Sequence, residues 1–331
     1  MTNRRNLLLA TLGGFTLPAW SQGVKTAASP VTDTVWTDAA RQRALPVKVR
    51  WPVSGLDAAT PAASVPVVIF SHGLGGSRES GEVWGQAWAA AGFVVVHLQH
   101  PGSDIDAVRA VASSFRDQAA LRTLAGPAQL LARLGDVSFA LDEIARLQAT
   151  GEGRWAMVRP TQVGMSGHSF GAHTTLGMAG QRYPGFDGIA EPRLASFIAL
   201  SPTLPWGDAH RAFERMTRPV LSITGTRDDD VVGLGATPDR RIGVFAALPP
   251  VDKAHLVLKD ADHMTFGGQG SRPTRIAPRA AITREVQPAQ QALVAAITTD
   301  WWRATLLQDA AAQARLQSPV GLLAGDVWEC K

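Results

Sequence analysis

Gln162-Val163-Gly164-Met165-Ser166-Gly167-His168-Ser169-Phe170-Gly171-Ala172 is the stretch on which the reading of this chain turns. Residues 162–165 have the apolar content of a buried strand, and the small residues of 172–180 suit a helix. Between them, Gly167-His168-Ser169-Phe170-Gly171 fits the G-x-S-x-G turn, whose glycines let the chain reverse sharply enough to lift a serine above a sheet. Three fixed positions recur by chance. A strand leading in and a helix leading out make the pattern specific.

Outward from that turn, residues 67–70, 93–98, 196–200, 220–224 and 256–258 are apolar without alternation, as in strands buried on both faces. Apolar residues at helical spacing over 83–91, 130–147, 172–181, 240–248 and 289–307 supply crossovers between them. Strand and helix in alternation predict an α/β domain with a mostly parallel central sheet and helices on both faces. Residues 31–37 and 45–51 are expected to pair ahead of it as an antiparallel hairpin, and 54–66 to form a loop. The insertion 103–126 is expected above the carboxyl ends of the strands, where ligands bind such sheets. The irregular, basic stretch 267–288 is expected to help wall the same pocket.

A serine hydroxyl attacks only when a base removes its proton, and the base needs an orienting carboxylate. With Ser169 as nucleophile, the order serine, acid, histidine is expected. His173 lies on the helix after the turn, His210 precedes the acid region and His255 opens a strand. His263, in a loop over 260–265 after the last strand, is therefore the expected base. The acid should follow strand 220–224, where Asp228, Asp229 and Asp230 stand together. Asp228, one tight turn beyond Gly225, is preferred over its neighbours; Asp260 and Asp262 are too local to His263. Two backbone N–H groups should hold the oxyanion. Phe170 offers one, and the glycine-rich run Ser71-His72-Gly73-Leu74-Gly75-Gly76 offers the Leu74 N–H. His72 and His168 are expected to hold those loops by hydrogen bonds, and His100-Pro101-Gly102-Ser103-Asp104 to shape the pocket rim. Trp301-Trp302 reads as core.

The 331 residues are 45% hydrophobic and 18% charged, with a net charge of +4. No basic cluster with interleaved aromatics points to nucleic acid. The single cysteine, Cys330, excludes an internal disulfide and a thiolate metal site. No metal-ligand spacing is present and no cofactor is expected. Residues 1–21 read as an export leader: Arg4-Arg5, an apolar run from Leu7 to Leu17, then Ala19-Trp20-Ser21 as a cleavage site. That run falls short of the roughly 20 residues that span a bilayer. The paired arginines resemble a twin-arginine leader, with a general secretion signal as the alternative. Residues 22–32 are expected to be a flexible mature N-terminus, 33–331 the catalytic domain, and the location periplasmic or secreted, without stable membrane insertion.

Five segments together resemble a bacterial family of predicted dienelactone-hydrolase-like proteins related to platelet-activating-factor acetylhydrolases: Phe70-Ser71-His72-Gly73-Leu74-Gly75, Leu98-Gln99-His100-Pro101-Gly102-Ser103-Asp104, Gly167-His168-Ser169-Phe170-Gly171, Gly225-Thr226-Arg227-Asp228 and Asp262-His263-Met264-Thr265-Phe266. The resemblance implies the α/β-hydrolase fold. It implies Ser169 as nucleophile and Leu74 and Phe170 as oxyanion donors. Dienelactone hydrolases carry a cysteine where Ser169 stands, so hydrolysis of a small-molecule or lipid ester is the expectation. An acyltransferase would use the same residues with an alcohol acceptor, and a non-catalytic binding protein would leave Ser169 inert towards a fluorophosphonate.

Overall fold

Along the strand Val67–Ser71, alternate side chains enter two different cores, and this organises the molecule into layers. Val67 and Ile69 pack with Leu134, Val137, Leu141, Ile144 and Leu176 on one face of the sheet. Val68 and Phe70 pack with Trp84, Trp88, Val294, Ile297 and Trp302 on the other. A strand's period of two requires that partition once helices cover both faces. Trp88 and Trp302 are wholly buried; truncating either to alanine would cost about 3–5 kcal/mol.

The computed structural model describes residues 29–53, 56, 60–111, 117–269 and 279–331. The expected leader, with residues 22–28, lies outside them. In chain order the elements are β1 (Val31–Asp38), β2 (Arg43–Arg50), β3 (Val67–Ser71), α1 (Glu82–Ala90), β4 (Val94–Leu98), α2 (Ile105–Val111), α3 (Gln118–Leu124), α4 (Pro127–Thr150), β5 (Val163–His168), α5 (Phe170–Met178), β6 (Leu194–Leu200), α6 (Ala209–Phe213), β7 (Val220–Arg227), α7 (Pro238–Ile242), α8 (Val244–Ala247), β8 (Lys253–Asp262), α9 (Ala281–Leu306), α10 (Ala310–Gln317) and β9 (Val327–Cys330). The strands form one sheet in the order β1-β2-β4-β3-β5-β6-β7-β8-β9. Pairing is parallel from β4 to β8 and antiparallel at both margins. This is the α/β-hydrolase arrangement.

Three elements differ from expectation, and the insertion 103–126 gains detail. The segment 240–248 divides at Gly243 into α7 and α8. Helix α9 begins at Ala281, ahead of Pro288, because its first turns are fastened from outside: Thr283 Oγ1 donates to the Asp260 carbonyl at 2.7 Å and Gln290 Nε2 to that of Lys259 at 2.6 Å. Edge strand β9, only four residues and mostly exposed, lacks the apolar run by which buried strands were found. The insertion 103–126 contains α2 and α3, whose Val108, Leu121 and Leu124 pack against Leu74 and Val232.

Strand order reverses at β3, which neighbours β4 on one side and β5 on the other. Loops leaving β3 and β5 therefore diverge and open a crevice at the carboxyl edge.

Candidate active site

The turn after β5 is tight enough to be strained. Ser169 has φ 57° and ψ −114°, a backbone conformation that non-glycine residues rarely adopt. Its neighbours have no room for a side chain: a methyl at Gly167 would strike the backbone of Gly171, and one at Gly171 the carbonyl of Ser71. Around it the backbone is fixed. Ser169 N–H donates to the Leu200 carbonyl at 2.9 Å, and its own carbonyl accepts from Ala172 and His173. Ser169 itself is left partly exposed.

Register brings the other two groups together. Arg227 on β7 lies opposite Asp262 on β8, so the next residue of each strand, Asp228 and His263, meet beyond the sheet. His263 opens a 3-10 turn, His263–Gly267, directly at the strand end; of the expected loop over 260–265, the first half is strand and the second half this turn. Its Nε2 lies 2.9 Å from Ser169 Oγ and its Nδ1 2.7 Å from Asp228 Oδ1. Asp228 is wholly buried. Burial alone would raise its carboxyl, but the charge of Arg241, 3.0 Å from Oδ1, and the contact with His263 outweigh it and hold the group at about 2. Thr224 Oγ1 donates to Oδ2 at 2.8 Å. With Asp228 ionised, Nδ1–H of His263 is the donor to it, and Nε2 is free to accept the serine proton.

The remaining aspartates have other occupations. Asp229 is exposed. Asp230 accepts from the N–H groups of Val232 and Gly233 at 2.8 Å each and so folds its own loop. Asp260 pairs with Arg227 at 2.7 Å. Asp262 caps the turn that carries His263, accepting from Thr265 N–H at 3.1 Å and from Arg279 at 2.6 and 2.7 Å.

The loop after β3 lies against the serine: a side chain at Gly73 would sit 3.5 Å from Ser169 Cβ. Leu74 follows, and Phe170 opens α5, where N–H groups lack helical partners. Among the described residues neither the Leu74 nor the Phe170 N–H has an acceptor. His72 Nδ1 donates to the Gly73 carbonyl at 2.6 Å while its Nε2 accepts from His100 N–H at 3.0 Å. His168 Nε2 donates to the His263 carbonyl at 2.9 Å, and burial pushes its ring down to about 3, hence neutral.

His100 does not shape a rim. It is wholly buried and bridges Ser71 Oγ (2.9 Å) to Asp136 Oδ2 (3.0 Å), and Asp136 is held by Arg43 at 2.6 Å and Arg41 at 2.9 Å. Sequence reasoning passed over Arg241, Arg279 and this interior network. One signal was present: Arg133 and Asp136 interrupt the apolar stripe of α4, between Leu130, Leu134 and Val137.

Among the described residues no three His, Cys, Asp or Glu side chains group to hold a metal ion, and no helix is long and apolar enough to cross a membrane. No curated protein matches the chain. Residues 28–123 match the family model for platelet-activating factor acetylhydrolase, isoform II. The matched stretch carries β1 to β4 and the Leu74 loop; Ser169, Asp228 and His263 lie beyond it. Over that stretch, and in its α/β-hydrolase fold, the chain is similar to platelet-activating factor acetylhydrolases, a likeness that implies an ester hydrolase.

Proposed function

We propose that this protein is an exported serine ester hydrolase. The observation that carries the reading is the hydrogen-bonded chain Ser169–His263–Asp228, with links of 2.9 and 2.7 Å. Ser169 Oγ attacks the ester carbonyl carbon, and its proton passes to His263 Nε2. Asp228 keeps the ring oriented and balances the imidazolium charge. The carbonyl oxygen, now negative, accepts hydrogen bonds from the Leu74 and Phe170 N–H groups. As the carbonyl re-forms, the alcohol departs with the proton from His263, leaving an acyl-serine. Water then attacks that acyl carbon while giving a proton to His263. Ser169 leaves with that proton and the acid is released.

The family match supports a short acyl group, such as acetyl, on a lipid or small-molecule alcohol. Residues 1–21 support export to the periplasm or beyond by the twin-arginine route; a chain confined to the cytoplasm on fractionation would contradict that part. Ser169→Ala, assayed on p-nitrophenyl acetate, tests the chemistry. A fall in kcat of at least about 10⁴-fold is expected; turnover within a few fold of the parent would discard the mechanism.

A further inference from the structure

A cation is buried beneath the two free N–H donors. Arg133, from α4, is fully enclosed. Its Nη1 donates to the His72 carbonyl at 2.6 Å and its Nε to Ser103 Oγ at 2.8 Å. Nη2 reaches the carbonyls of Ser103 at 3.4 Å and Gly73 at 3.5 Å. The guanidinium carbon lies 4.3 Å from the centre of the Phe170 ring. One side chain thus touches His72 and Gly73, which lead into Leu74, and also Phe170.

The geometry has a consequence for the donors. The Gly73 carbonyl and the Leu74 N–H belong to one trans peptide, so they point in opposite directions. Gripping that carbonyl, by His72 Nδ1 at 2.6 Å and by Arg133, aims the Leu74 N–H away from the protein interior. The rigid fork of a guanidinium can hold carbonyls at its edge and present its face to a ring; an ammonium cannot. The hydrogen bonds of Arg133 end on neutral groups, while the carboxylates of Asp136 and Asp104 balance its charge from beyond hydrogen-bond distance.

We propose that Arg133 is the positioning residue of the oxyanion site, fixing the His72–Leu74 loop against Phe170 so that both N–H groups converge before reaction. The inference rests on the ester-hydrolase reading above. Arg133→Met is expected to lower kcat for p-nitrophenyl acetate about 10- to 100-fold, with KM within about twofold. Inhibition by an alkyl trifluoromethyl ketone, which adds Ser169 to form an oxyanion, should weaken by the same factor. Arg133→Lys should recover part of both. Titration with a fluorophosphonate counts the folded sites, so that loss of protein is not read as loss of rate. An unchanged kcat, or a lower kcat at unchanged ketone affinity, would overturn the proposal. If Arg133→Met does not fold, Arg133→Lys and Ser103→Ala decide: parallel losses of kcat and ketone affinity uphold it, and wild-type ketone affinity in both overturns it. A wild type inert to esters, or an active Ser169→Ala, would instead defeat the hydrolase reading.

Discussion

Asp228, Asp229 and Asp230 are chemically identical and consecutive, yet their surroundings differ completely. Only Asp228 is buried, and only its carboxylate meets both an imidazole and a guanidinium. Asp228→Asn would keep the shape while reversing the hydrogen bond, since an amide nitrogen facing Nδ1 favours the ring tautomer that cannot accept the serine proton. We expect kcat to fall about 10³- to 10⁴-fold at nearly constant KM. Asp229→Asn, an exposed change, should stay within about twofold of the parent. Steady-state kinetics on one ester checks both, and equal effects would contradict the assignment. The sequence pointed to Ser169 and His263 through neighbours with fixed geometry, a strand before each and glycines around the first. Among the three aspartates it offered only the tight turn at Gly225 in favour of Asp228; the feature that sets Asp228 apart physically is Arg241, which comes from a helix 13 residues further on.

His263 stands on a turn that sheet pairing alone does not secure. Arg279 grips Asp262 with two hydrogen bonds and Thr265 Oγ1 at 3.0 Å, and Gln291 Nε2 donates to the Thr265 carbonyl at 3.2 Å. Arg279, just ahead of α9, and Gln291 within it therefore clamp the turn that carries His263. Arg279→Ala removes charge-assisted bonds that are mostly shielded from water, at a cost of about 1–3 kcal/mol. The expected outcome is a lower melting temperature together with a several-fold drop in kcat; full activity at a lowered melting temperature would assign the clamp to stability alone. This clamp also explains why the start of α9 was illegible. Pro288 argues locally against a helix, and the hydrogen bonds that override it join residues about 25 apart. Strands β3 to β8 were legible for the opposite reason, since burial on both faces leaves a continuous apolar run in the sequence itself.

Over the whole molecule, two helical layers around a parallel sheet followed from pattern alone, and the site lies where strand order reverses. Depth has another consequence, invisible to pattern, because histidines ordinarily titrate near 6.5. Burial is the main cause that pushes His97 and His168 down to about 3, His100 to about 4 and His72 well below its usual value. All four stay neutral in the folded chain while the unfolded chain protonates them. Their contribution to stability is whole above about pH 6.5 and is lost as pH falls towards 4, because there the unfolded state binds more protons. Each such ring adds a slope of up to about 1.4 kcal/mol per pH unit, and His173, pushed down to about 4 by burial, acts with them, so that the combined slope is large against a typical total of roughly 5–15 kcal/mol. Asp228 and Asp136, both held at about 2, act in the same direction at lower pH. Urea midpoints measured from pH 7 to pH 5 should therefore fall steeply before the carboxylates titrate. His97→Asn, whose amide can keep the 2.9 Å bond to the Ser80 carbonyl, should reduce the slope by about one proton. A midpoint that stays level down to pH 4.5 would mean that these rings are not held neutral by the fold.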